Sequence, residues 1–239
     1  MREATGANGL TLRENVWDIA EFKGKTGVIR IVHARDHRAA HIHRGAAEDH
    51  AGDAQARIAK VQGGALWGDV DAATQAHGLA TPGGLISETG VGGLTLSGGI
   101  GWLRAQHGLS IDNLMGADAV LADGSLVHTT ANENPDLLWA LRGGGGNFGV
   151  VVGFEFALHP VGPKVMFAAP IYALDDGPGP ILAWRDFLAK HGDRVGSLCE
   201  FSTAGGEDFP EIYQGKRVYT LACVYNGPAD EGEVLLQPL

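Results

Sequence analysis

Two cysteines in 239 residues, Cys199 and Cys223, leave the chain without a disulfide framework and without the paired spacing of a zinc site, so a reducing compartment is the expected setting. Basic residues are also scarce: 18 Lys and Arg stand against 28 Asp and Glu, a net charge of −10. Nucleic acid and anionic membrane are therefore not expected partners, since either needs a basic face to displace counterions. An anionic ligand would have to be held by main-chain amides. No apolar run approaches membrane-spanning length, and the opening MREATGANGLTLRENVWD lacks a charged stretch followed by an apolar one, so a soluble, cytoplasmic protein is expected.

Glycine is what the chain has in abundance, 37 residues, alongside enough hydrophobic residues (44%) for a large core. Three zones differ in character. Residues 1–54 show strand-like alternation around GVIRIV, with Gly24-Lys25 as a turn, then decay into RDHRAAHIHRGAAEDHAGDAQA, which has no steady period. Residues 55–163 are regular. RIAKVQGG reads as a strand, and ALWGDVDAATQAHG as a helix with Leu66, Val70, Ala73 and His77 on one face and Gly78 as its stop. WLRAQHG makes one or two helical turns closed by Gly108. GADAVLADGSLVHT is a hairpin around Asp123-Gly124. NPDLLWALRG is a helix with Asn134 as N-cap, Pro135 at its first position and Gly143 past its end. VVVGFEFALHP is a buried strand. Residues 164–239 read as strand, helix, strand, strand and the opening of a further helix, which suits an antiparallel sheet with helices on one side; the fold class is α+β.

Two glycine runs carry the chemistry: GVGGLTLSGGIG at 90–101 and RGGGGNFG at 142–149. Neither is followed by the lysine of a P-loop. A Rossmann fingerprint starts at Gly90-Val91-Gly92, but Thr95 takes the third glycine's place and the helix after Trp102 is too short. One such run could be a turn that only packs against a strand. Two runs in strand and helix company, with no Lys or Arg from Pro82 to Trp102, favour an anion nest of successive amides. Glu88, the one charge there, is expected to face solvent, because a carboxylate would repel a diphosphate.

The order T-G-x-G-G-L-x-x-x-G-G-x-G-W, G-L-x-x-D-N, A-D-G and D-L-L-W-A-L-R-G-G-G-G-N-F-G-V-V resembles the FAD-linked oxidases of the vanillyl-alcohol oxidase type, in the berberine-bridge-enzyme-like branch, from about Arg57 to Pro163 and more weakly beyond. The resemblance implies the second lobe of a PCMH-type FAD-binding domain at 55–163, followed by part of an antiparallel-sheet substrate domain. It implies FAD contacts at Thr89, Gly90, Gly92, Gly93, Leu94, Ser97, Gly98, Gly99, Ile100, Gly101 and Trp102, at the pair Asp112 and Asn113, and at Gly149, Val150 and Val151. It also implies hydride transfer from a small organic substrate to flavin N5. Residues 1–56 show no match to the R-G-G-G-H motif of the family's first lobe; HRGAAEDH at 43–50 is not one, and a covalent cysteine would fall at about Ile86. The alternative is a truncated or fused remnant that catalyses nothing. Residues 10–32 resemble, more distantly, a β-sandwich module found beside glycoside hydrolases.

Other residues take plainer readings. His33, His37, His41 and His43 would present metal-ligand spacing on a helix, but the stretch lacks an apolar face to order one, and a solvated coil is expected, with no metal. His107 and His128 read as exposed or core-satisfied, and Trp67, Trp102 and Trp139 as core, with Trp102 also in the flavin motif. Tyr213, Tyr219 and Tyr225 lie in the third zone with nothing to mark one as catalytic.

Overall fold

The computed structural model describes residues 40–44, 57–207 and 209–239. In chain order the elements are β1 (Ala40–Arg44), β2 (Arg57–Gln62), α1 (Trp67–Gln75), β3 (Leu79–Ala80), α2 (Val91–Leu96), α3 (Arg104–His107), β4 (Leu114–Val120), β5 (Leu126–Thr130), α4 (Pro135–Leu141), β6 (Val150–Ala157), β7 (His159–Pro160), β8 (Met166–Ala168), β9 (Ile171–Ala173), α5 (Gly179–His191), β10 (Val195–Thr203), β11 (Arg217–Tyr225) and α6 (Ala229–Leu236). The expected strand near GVIRIV, His33, His37 and the 10–32 resemblance lie outside the described residues.

The fold is mixed α+β, built on antiparallel sheets. The first sheet runs β1-β2-β6-β4-β5. β1 lies on the N-terminal side of the boundary expected at residue 54, yet all five of its residues pair with β2. His41 and His43 therefore stand two apart on a strand, where the helical metal spacing does not exist. Alternation along β2 and β6 puts Ala59, Val61, Phe154 and Phe156 on the core face, against Trp67 and Val70 of α1. The other face carries a cross-strand ion pair, Lys60–Glu155 at 2.9 Å. β6 is thus half-buried rather than wholly buried: its first residue, Val150, is 41% exposed.

The second sheet has β10, β11 and β8 in order, with β9 also on β11. One face is covered by α5 and α6, through Phe187, Cys223, Tyr225 and Leu236. Burial pushes the Cys223 and Cys199 thiols up, so both stay protonated at neutral pH. α6 is fixed by Tyr225, whose hydroxyl donates to Glu231 (2.7 Å) and accepts from Arg194 (2.7 Å). The two sheets meet at Trp102: its ring edge packs on Phe167 at 6.0 Å, and its carbonyl fills the space where a Gly196 side chain would stand. Arg104 bridges the same junction, donating to the carbonyls of Gly101 and Ser197. Among the described residues, no helix is long and apolar enough to cross a membrane.

Helix starts and stops follow the local chemistry closely. Gly78, Gly108 and Gly143 all take positive φ at the expected ends. Asn134 precedes α4 but does not cap it through its side chain, which donates to the His128 carbonyl while its backbone sits at φ 46°. α1 stops at Gln75, so His77 is off the helix and exposed. Trp139 departs from the core reading: it is 79% exposed, because the inner side of short α4 is filled by Leu138 and Leu141. Trp67 is 1% exposed and packs on Phe156 at 5.6 Å. Trp67→Ala should lose about 3–5 kcal/mol. Trp139→Ala should change stability by no more than about 0.5 kcal/mol, both read by urea denaturation.

Candidate functional site

The first half of the run at 90–101 is a helical turn, not a loop: α2 spans Val91–Leu96, with Gly90 as its N-cap residue. The turn is hung on neighbouring main chain. Val91 N–H donates to Ala65 O (2.9 Å), Trp67 N–H to Thr89 O (3.0 Å), and Gly68 N–H to Ser87 O (2.9 Å). Behind it, Gly63 N–H donates to Val152 O (2.8 Å), and Gly63 lies so close to the Val151 carbonyl that a side chain would collide with it. A Cβ on Gly92 would sit 3.3 Å from Gly63 O and 3.6 Å from the Phe154 ring. The end of β2, the start of β6 and the start of α2 thus converge as bare backbone. Gly145–Phe148, a 3-10 turn in the second glycine run, also approaches α2, so the structure brings the two runs together.

The second half, Ser97 to Trp102, folds back on the segment that follows. Ser110 N–H donates to Gly99 O and Ile111 N–H to Gly98 O, both at 3.0 Å. Gly101 is buried against the Gly83 carbonyl with no room for a side chain. Ser97 is exposed, Ile100 is 61% exposed, and Leu94 is half-buried against the core. Val150 and Val151 pair with Val120 and Ala119 of β4, and Gly149, at φ 145°, lies against the Val120 carbonyl.

Asp112 and Asn113 are committed within the protein. The Asp112 carboxylate accepts from Leu109 N–H (2.7 Å). Asn113, 4% exposed, donates to the carbonyls of His107 (2.8 Å) and Leu109 (2.9 Å), and its Oδ1 accepts from His159 Nε2 at 2.6 Å. The His107 and His159 rings stack at 3.9 Å with planes 10° apart. The sequence reading left His107 without a partner and did not single out His159. Only a contact between residues 52 apart could have marked the pair. The tyrosine hydroxyls of the third zone are also engaged: Tyr213 donates to Ile171 O, Tyr219 to Gly177 O and Tyr225 to Glu231.

Two glycines at the start of the first run have neither a backbone nor a packing reason to be glycine. Gly90 has φ −67°, Gly93 lies inside α2, and a Cβ on either would meet nothing within 4 Å among the described residues. Both are exposed. The amides of Gly92 and Gly93, and those of Gly99, Ile100 and Gly101, find no acceptor among the described residues. Glu88 is exposed, as expected. The arrangement offers uncharged donors on a surface stripped of side chains, which suits the diphosphate of a dinucleotide.

Comparison with known proteins agrees. Residues 42–130 match the FAD binding domain family. The chain is 38% identical over 190 residues to the FAD-linked oxidoreductase pgmH of Aspergillus terreus, covering 78% of this chain and 37% of that protein. It is 35% identical over 191 residues to the xylooligosaccharide oxidase of Thermothelomyces thermophilus, covering 78% and 36%. The solved structure of 6-hydroxy-D-nicotine oxidase from Arthrobacter nicotinovorans matches with a TM-score of 0.68 at 28% identity, covering 83% of this chain and 41% of that one. The chain spans little more than a third of the length of the curated relatives it matches. The mixed α+β fold is consistent with an FAD-binding domain. More narrowly, residues 42–130 match the FAD binding domain family, the chain is similar to FAD-linked oxidoreductases, and FAD is the cofactor these matches support.

Gly93 and Gly101 should respond oppositely to alanine. Gly93→Ala should stabilise by about 0.5–1 kcal/mol, since the methyl enters open space on a helix. Gly101→Ala should destabilise by about 1–3 kcal/mol, since the backbone must shift away from Gly83. Thermal denaturation of the two variants beside the parent chain checks both signs.

Proposed function

We propose that this chain is the FAD-holding part of a flavin-dependent oxidoreductase that oxidises a small organic substrate. The observation that carries the reading is the pair Gly90 and Gly93: exposed, open on the Cβ side, and set beside free amides. When bound, FAD supplies the two-electron chemistry, accepting a hydride at flavin N5 from a C–H bond of the substrate. The protein's share is position, electrostatics and exclusion of water.

In this reading residues 55–163 form the second lobe of the FAD-binding domain, and residues 164–239 form part of the substrate domain. Within the turn from Thr89 through Gly90 to Leu94, Gly92 and Gly93 present the amides and Gly90 and Gly93 the bare surface for the diphosphate. Ser97 to Trp102 continue the cradle towards the second sheet, where Trp102 and Phe167 meet. Gly149, Val150 and Val151 offer strand-edge main chain beside it. Asp112 and Asn113 serve by shaping the segment beneath the cradle, since their side chains bond to that segment and to β7. The xylooligosaccharide and hydroxynicotine oxidases among the similar proteins support a small organic molecule as the substrate class.

Affinity should come from amide donors rather than from cations. Added FAD should bind the purified chain and show the shifted absorbance and quenched fluorescence of a held flavin. Gly93→Ala should weaken that binding roughly ten- to a hundredfold, about the value of one charge-assisted hydrogen bond, because the methyl holds the diphosphate off the amide, without loss of fold. Protein that gains no flavin signal would defeat the proposal and favour a non-catalytic remnant.

A further inference from the structure

The stacked rings of His107 and His159 have no role in the cradle as described, yet they sit where a small change would be felt. His107 belongs to α3, just after the second half of the glycine run, and His159 to β7. The hydrogen bonds define how the rings are charged. Asn113 Nδ2 donates to two carbonyls, so Oδ1 is the atom facing His159, and an amide oxygen can only accept. His159 therefore carries its proton on Nε2, and a further proton must go to Nδ1. Both rings are half-buried.

We propose that the His107–His159 stack is an acid-released latch that holds the segment Gly98–Asn113 against β7. The latch acts along a traceable path. His159 holds Asn113; Asn113 holds the carbonyls of His107 and Leu109; Ser110 and Ile111 hold the carbonyls of Gly99 and Gly98. Protonating both rings puts two like charges 3.9 Å apart. The surroundings give no relief among the described residues. Arg57, at the start of β2, adds to the positive potential on His159. Arg104 lies one turn before His107 on α3. The Asp112 carboxylate is engaged by Leu109 N–H and forms no ion pair with either ring. β3, paired with β7, is Leu79-Ala80 and contributes no charge, and from α1 the neutral Gln75 donates to the carbonyls of Leu79 and Val161.

The sign follows from these neighbours. Burial lowers the proton affinity of both rings, and for His159 the charges of His107 and Arg57 lower it further. An opened segment returns both to ordinary imidazole behaviour, near 6.5. Below that pH the open form binds more protons, so the latch is at full strength above it and weakens as pH falls. Each extra proton taken up on opening multiplies the opening equilibrium about tenfold per pH unit. If the proposed function holds, acid would also loosen one wall of the FAD cradle; the latch itself does not rest on that reading.

Hydrogen–deuterium exchange of the full chain without FAD, corrected for intrinsic rates, tests it between pH 7.5 and 5. Peptides covering residues 99–112 should open at least about tenfold more readily at the acid end, while β4 and β6 stay protected. The double variant H107F/H159Q keeps an aromatic ring and a donor for Asn113 but cannot titrate, and should lose this pH dependence. An unchanged pH dependence in the variant would overturn the proposal. Should the variant not fold, imidazole NMR resonances of the parent chain decide: titration of both rings near 6.5 overturns it, and midpoints below that support it. FAD affinity plays no part in either readout, so the cofactor reading can fail without deciding this one.

Discussion

Close approach of main chain to main chain is the constraint on which this structure rests. Gly63 lies against the Val151 carbonyl, Gly101 against that of Gly83, and Gly196 against that of Trp102. Each is a place where a Cβ would force two strands or loops apart. The first sets the end of β2 beside the start of β6, the second sets the end of the glycine run against the loop at Gly83, and the third seats the second sheet on Trp102. A surface built this way is made of amides and carbonyls rather than side chains. That is how a chain with a net charge of −10 can present donors to an anion.

The same glycines divide into two kinds that sequence cannot separate. Gly101 is glycine because the protein fills the space; Gly93 is glycine although the protein leaves the space open. In the sequence both are a G in a run. Their difference is three-dimensional, since it depends on Gly83, eighteen residues back, touching one and nothing touching the other. What was legible was local. The strand-turn-helix at 57–78, the Asp-Gly hairpin, the glycine stops at 78, 108 and 143 and the strand order of the third zone depend on neighbours a few residues away. The α2 turn was hidden because four glycines in nine positions, from 90 to 98, read as a loop, while Ala65, Thr89 and Ser87 hold the turn from outside.

Side-chain roles were the least legible part. Trp139 lies in a helical pattern with Leu and Ala neighbours, which made it look buried; α4 is only two turns long and presents Leu138 and Leu141 inward. Asp112 and Asn113 were set beside the cofactor by the resemblance alone. Their side chains bond to Leu109, His107 and His159, and the last of these is 46 residues from Asn113. A polar residue on a loop declares that it needs a partner, not which one.

The division of labour that results is uneven. In the proposed reading the donors to FAD are main-chain atoms, insensitive to pH, while the segment that presents three of the five is held from behind by two imidazoles and an amide. Binding groups that cannot titrate are thus mounted on a support that can. Such a cradle can change its grip without changing its contacts, because opening the support disperses the amides of Gly99, Ile100 and Gly101 while those of Gly92 and Gly93, fastened through Val91 to Ala65, stay in place.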